Sequence, residues 1–244
     1  MNTNQNPNGV LYLVATPIGN LGDMTYRAVD VLKASDVIAA EDTRTSKRLL
    51  DHYAIGPKRM VSYFGPKEHA RAETLLHLLL EGKNVALITD AGTPGISDPA
   101  VKVVRRAVAH GIRVIPVPGA SALLAGLSGS GLDISAFTFE GFLPIKSGRR
   151  MNALKRIAEE PRTVALFEST HRIAKLLDEL ELIMPERRIV VARELTKIYE
   201  EFLRGTPAEI KARMKGSRLK GEMVVLIPAS ASHPLELQAD AEGD

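Results

Sequence analysis

Three short segments hold the residues best suited to chemistry in this 244-residue chain. They are Ala15-Thr16-Pro17-Ile18-Gly19-Asn20-Leu21-Gly22-Asp23, Thr89-Asp90-Ala91-Gly92-Thr93-Pro94-Gly95-Ile96-Ser97-Asp98-Pro99 and Val117-Pro118-Gly119-Ala120-Ser121-Ala122. Glycine permits positive φ and close backbone approach, and proline holds a bend rigid. Main-chain amides and carbonyls then become the recognition groups, which suits a small ligand with nucleoside and amino-acid parts. One such segment does no more than end a strand; three at successive strand ends point to a ligand. Asp90 directly follows a strand and either orients loop amides or meets the ligand. Asp98, ahead of Pro99 and a helical run, reads as a helix N-cap.

Other familiar chemistries find no anchor. The chain contains neither G-x-G-x-x-G nor G-x-x-x-x-G-K-[ST], so dinucleotide and P-loop readings lose their main support. Its six His residues form no H-E-x-x-H pattern or close pair and Cys is absent, so no metal site is expected. The lack of Cys also removes a disulfide framework and fits a reducing cytosol.

The elements that must hold the three segments follow from periodicity. Strands are expected at 10–14, 37–40, 60–63, 85–89 and 114–117, alternating with helices at 26–34, 45–52, 67–81 and 99–110. Such alternation implies right-handed crossovers and a mainly parallel sheet, with the three segments at the C-terminal strand ends where open α/β sheets bind ligands. After Gly119 the rhythm changes. A small-residue helix over 120–131 leads to strands at 137–142, 163–167, 188–193, 199–203 and 223–227, with helices at 149–159 and 172–183 between them. Thr206-Pro207-Ala208-Glu209 opens one more helix, with Thr as cap, Pro at the first position and Glu three residues on. Strands adjacent in sequence make this second sheet mixed. Two α/β domains are therefore expected, 9–120 and 121–229, with disordered tails at 1–8 and 230–244.

Apolar residues make up 45% and charged residues 25%, ordinary for a globular protein, and no apolar run approaches a membrane span. The polar start lacks a signal peptide, so the expected location is the cytoplasm. Net charge is +3, but Glu236, Asp240, Glu242 and Asp244 gather in the tail, leaving the rest at +7. Cations cluster at Arg44–Arg48, Lys146–Arg156 and Lys211–Lys220, a distribution that fits a polyanionic partner as well as ordinary solvated helix faces.

Leu13 to Asp23, Ala40-Glu41-Asp42-Thr43-Arg44, Thr89 to Pro99, Val117 to Ala122, Phe167-Glu168-Ser169-Thr170-His171-Arg172, Val191 to Lys197 and Gly221-Glu222-Met223-Val224 resemble the tetrapyrrole-methylase superfamily. Within it they are similar to the branch that methylates small-subunit ribosomal RNA, and the likeness runs over about residues 10–228. The resemblance implies the two-domain class III methyltransferase fold, with S-adenosyl-L-methionine in the cleft between domains. It implies methylation of a cytidine ribose 2′-hydroxyl in the decoding region of 16S rRNA, within the small ribosomal subunit, by a homodimer. Matching cofactor positions are Pro17, Gly19, Asp90, Gly92, Thr93, Ile96, Ser121 and Ala122, then Phe167, Ala192 and Met223. Arg44, Lys146, Arg149, Arg150, His171 and Arg172 are the expected RNA contacts. An acidic tetrapyrrole as substrate, and a ribosome-assembly factor without catalysis, stay open as alternatives.

A ribose hydroxyl is a poor acid, so a base, or a cation stabilising the alkoxide, is needed. Glu41, Asp42, Glu168 and His171 are available, but the expected catalytic residues are Arg193, Glu194 and Lys197. On an extended continuation of the strand, Arg193 and Lys197 share a face; a desolvated Lys can act as base and Arg can hold phosphate. A salt-bridged edge strand is the structural alternative.

Overall fold

A computed structural model describes residues 8–65, 68–214 and 221–230. The chain divides between Ser121 and Ala122 into two compact units. In the first, β1 (Val10–Val14) leads through a short 3-10 turn to α1 (Tyr26–Ala34), β2 (Val37–Ala40), α2 (Thr43–His52) and β3 (Arg59–Ser62). Then come α3 (Glu68–Leu80), β4 (Val85–Ile88), α4 (Ala100–Ala109) and β5 (Arg113–Val117). Every pairing in this sheet is parallel, in the order β3-β2-β4-β1-β5.

The burial pattern explains that architecture. Val37–Ala40 and Val85–Ile88 are buried throughout, as strands covered on both faces must be. Val14, Ile38, Ala40 and Ile88 pack with Leu32 of α1 and Leu50 of α2. Leu11, Val37, Ala39 and Leu87 pack on the opposite face with Leu75 and Leu79 of α3 and Val103 of α4. Chains leaving β1 and β4, which are neighbours, thus run to opposite faces, which makes their C-terminal ends the topological switch point of the sheet. Pro116 sits in β5 at the sheet edge, where the missing amide breaks no ladder.

The second unit contains α5 (Ala122–Ser130), β6 (Phe137–Phe142), α6 (Ser147–Ala158), β7 (Thr163–Glu168) and α7 (Ile173–Ile183). It continues through β8 (Ile189–Arg193), β9 (Glu201–Gly205), α8 (Pro207–Arg213) and β10 (Met223–Ile227). The order is β6-β7-β10-β8-β9, with only β6–β7 parallel, so the sheet is mixed as expected. Leu154, Leu166, Leu176, Val191, Leu203, Ile210 and Val225 form its main core. The Thr206 cap is a full capping box: its hydroxyl accepts from the Glu209 amide at 3.3 Å and its own amide donates to the Glu209 carboxylate at 2.9 Å.

Two expected elements differ. The strand placed at 199–203 is Glu201–Gly205, because residues 194–200 form a tight loop. The extended run from Arg193 to Lys197 does not exist: Glu194 (φ 51°) and Thr196 (φ 68°) are left-handed and turn the chain at the end of β8. Tail positions 1–7 and 231–244, and the basic positions 215–220, lie outside the described residues.

Candidate functional site

In the first unit the strand ends are tied together by their own loops. Thr16 and Gly92 form an antiparallel bridge, exchanging amide-to-carbonyl bonds of 2.9 and 3.0 Å, so the loops after β1 and β4 are joined at their base. The Thr16 hydroxyl donates to the Thr89 carbonyl at 3.0 Å, a buried second tie. Gly92 (φ 85°) provides the backbone shape this crossing needs. The loop after β5 joins through Thr93, whose hydroxyl donates to the Ala120 carbonyl at 3.2 Å. Gly119 lies so close to the first loop that a Cβ there would stand 2.9 Å from the Ala15 Cβ. Pro17, Gly19, Asp90, Gly92, Thr93 and Ser121 are therefore brought to one rim; Ile96 lies farther along the second loop, exposed. Ala122 begins α5 and belongs to the second unit.

Acidic groups line this rim. Glu41, at the end of β2, accepts from the Thr89 hydroxyl at 2.6 Å and the Asp90 amide at 3.2 Å. Asp90 in turn accepts from the Asp42 amide at 3.1 Å. Partial burial pushes the Asp90 carboxyl up, and the nearby charges of Glu41 and Asp42 add to this. Asp98 accepts from the Gly95 and Ala100 amides at 2.7 Å each, holding the second loop's end while burial pushes its own carboxyl up. It does the work of a cap from one residue before the N-cap, Pro99. Asp42 caps α2 and pairs with Arg44, whose guanidinium and amide hold its carboxyl down at about 2. Sequence reading missed Tyr63, buried just after β3, whose phenol is pushed up by burial and by the charges of Asp98 and Glu41. Its only signal was an aromatic following an edge strand.

The second unit separates its expected residues by face. Strand register sets Phe167, Val224 and Ala192 in one row across β7, β10 and β8. Glu168, Met223 and Arg193 form the next row, on the opposite face of the pleat. The Met223 side chain therefore does not share a face with Phe167 and Ala192; Val224 takes that place, with Gly126 of α5 packed against it.

Arg193 is buried and donates to Glu201 at 2.7 Å. Lys197 donates to Glu194 at 2.9 Å and Glu222 at 3.3 Å. Burial alone would lower the Lys197 ammonium, but those carboxylates outweigh it and hold its pKa above the usual value. Burial would raise Glu194, yet the Lys197 ammonium and the Glu222 amide bring it down. Lys197 is thus a held cation rather than a neutral base.

Arg150, expected to meet phosphate, is instead buried in an ionic cluster. It is 2% exposed, donates to Glu179 at 2.5 Å and lies 3.4 Å from Glu168. Arg172 is engaged too, with Glu168 at 3.3 Å and the Leu143 carbonyl at 2.6 Å. Lys146, Arg149 and His171 are exposed, as is Arg44 beside Asp42. No cluster of metal-ligating side chains occurs among the described residues, nor any helix long and apolar enough to cross a membrane.

Comparison with known proteins adds an independent line. A family model described as Tetrapyrrole (Corrin/Porphyrin) Methylases matches residues 10–211. A protein of Escherichia coli O157:H7 named Ribosomal RNA small subunit methyltransferase I is 46% identical over 97% of this chain and 83% of its own length. One of the same name from Synechocystis is 48% identical over 90% of this chain and 78% of its own. Among solved structures, the uroporphyrin-III C-methyltransferase of Thermus thermophilus, complexed with S-adenosylhomocysteine, matches at TM-score 0.62. It is 22% identical, over 89% of this chain and 97% of that one, and the likeness shows a shared fold. A cobalt precorrin-4 methyltransferase matches at TM-score 0.65 and 18% identity, covering 89% and 94%.

Proposed function

Because this chain belongs to the tetrapyrrole methylase family, and to its ribosomal RNA small subunit methyltransferase I branch, we propose that it moves a methyl group from S-adenosyl-L-methionine to the 2′-hydroxyl of a cytidine in 16S rRNA. The observation that carries this reading is the Thr16–Gly92 bridge, which joins two strand-end loops into one backbone surface. Glycine fits there because backbone must approach the ligand, and the Gly119–Ala15 contact shows how little space a side chain would have. The acids at the rim suit a ligand carrying positive charge, since Glu41, Asp42 and Asp90 gather three carboxylates there and Arg44 pairs with Asp42. When bound, the donor supplies an electrophilic methyl group.

The chain's residues then bind and orient. Much of the acceleration would come from holding two bound molecules in line. Lys197, kept protonated by Glu194 and Glu222, fits the role of a cation that stabilises an alkoxide, and the base is left to another group. Phe167, Ala192 and Met223 remain part of the proposal as donor contacts, with Ala192 and Met223 acting through backbone because both are buried. Lys146, Arg149, His171 and Arg44 are the proposed phosphate contacts. The proposal includes a homodimer acting in the cytoplasm on the small ribosomal subunit.

A calorimetric titration with the donor tests the loop assignment. Wild-type protein binds one donor per chain. Gly119→Val, pressed against Ala15, binds at least about tenfold more weakly, a difference of roughly 1.4 kcal/mol, while still unfolding cooperatively. Wild-type affinity in a folded Gly119→Val variant would remove the third loop from the site.

A further inference from the structure

The ends of β6, β7 and β8 point the same way, because β6 and β7 are parallel and β10 runs against both β7 and β8. The loops that follow them form one rim of the second sheet. Two aromatics stand on it. Phe142, the last residue of β6, has its ring edge-on to Phe167 at 5.7 Å, with Phe139 behind Phe167 at 4.9 Å, yet 53% of it is exposed. Tyr199, in the loop between β8 and β9, is 71% exposed.

The β8–β9 loop is held by hydrogen bonds of its own. Its two left-handed residues, Glu194 and Thr196, are conformations that cost about 1–3 kcal/mol each for residues other than glycine. Arg193 donates to the Tyr199 carbonyl at 3.3 Å, the Glu200 amide to the Lys197 carbonyl at 3.1 Å, and the Thr196 amide to the Glu200 carboxylate at 2.5 Å. The result is a fixed stem holding an aromatic in solvent. Arg193 pairs with Glu201, Lys197 is shared by Glu194 and Glu222, and the Glu200 carboxylate is turned back onto the Thr196 amide of its own loop. Four and seven residues on from Phe142, Lys146 and Arg149 are exposed.

From this we infer that the rim is a platform for an unpaired stretch of RNA, with bases stacking on Phe142 and Tyr199 and phosphates meeting Lys146 and Arg149. β6 and β8 are three strand spacings apart, about 14 Å, a span that a few unstacked nucleotides bridge. Exposed aromatics beside cations are what single-stranded nucleic acid selects: every base has a π-face, and every linkage a charge. The inference rests on the proposed rRNA reading and says which form of RNA the second unit receives.

The test is fluorescence anisotropy of a labelled single-stranded oligoribonucleotide and of the same sequence in a duplex, across a salt series, with full-length protein. The single strand binds more tightly than the duplex. Phe142→Ala and Tyr199→Ala each weaken single-strand binding roughly tenfold without changing the salt slope, and Tyr199→Phe binds like wild type. Replacing Lys146 and Arg149 together by Ala makes the slope shallower by about 1.4. Equal binding of both RNA forms, or unaltered affinity in both aromatic variants, overturns the platform. A change of sedimenting mass in Tyr199→Ala with RNA affinity unaltered also overturns it, and marks the loop as a contact between copies of the chain. Label transfer to small subunits by the wild-type protein, measured in parallel, separates the two readings: transfer with a failed platform leaves the methyltransferase reading intact.

Discussion

Arg149 and Arg150 are neighbours in sequence and of one type, and the fold gives them opposite tasks. Arg149 faces solvent at the start of α6, whereas Arg150 turns inward to Glu168 and Glu179. Removing one partner of a buried ionic cluster leaves uncompensated charge, so Arg150→Ala is expected to lose about 3–5 kcal/mol in a denaturant titration. Arg149→Ala should stay within about 0.5 kcal/mol of wild type, as exposed substitutions do. Equal stability of the two would show that the cluster carries no weight. Asp42 offers a pH test at the same scale. Arg44 depresses its carboxyl from 3.8 to about 2, so the folded state binds this proton less readily than the unfolded chain. The stabilisation is complete above 3.8 and is lost as pH falls through about 2. Melting temperatures of wild type and Asp42→Asn should therefore converge across that interval, and a constant difference would place the pairing elsewhere.

Elements were legible where period and punctuation agreed. Val10–Val14, Tyr26–Ala34, Val37–Ala40, Phe137–Phe142 and Met223–Ile227 lie where apolar runs and breakers set them. The capping box at Thr206 was readable because its three residue types act locally; Thr206→Ala should cost about 1 kcal/mol by thermal unfolding, and no loss would mean α8 is held by packing alone. What the sequence hid depends on partners distant along the chain. The turn at Glu194 looked extended because nothing local announces two left-handed residues; Gly221, where a Cβ would fall 2.4 Å from the Glu194 carboxylate, makes room for that turn from 27 positions away. The inward turn of Arg150 was hidden for the same reason, since Glu179 is 29 positions on. The three strand-end loops were legible as a group, but their bridge at Thr16 and Gly92, and the Glu41 contacts beneath Asp90, needed coordinates.

At the scale of the whole molecule, a parallel sheet with glycine-rich ends and a mixed sheet with exposed aromatics at its rim are combined in one chain. The fold is shared with a solved structure named for uroporphyrin, whereas the sequence relatives are named for ribosomal RNA, so fold alone does not choose between these substrates. The choice rests on relatives 46–48% identical over nearly the whole chain. The most direct measurement is mass-spectrometric mapping of methylated nucleotides after the protein reacts, with S-adenosyl-L-methionine, on small subunits from a strain lacking this activity. The account predicts one new methyl group, on the ribose of a decoding-region cytidine. An unmodified 16S rRNA, alongside methyl transfer to a precorrin, would contradict it.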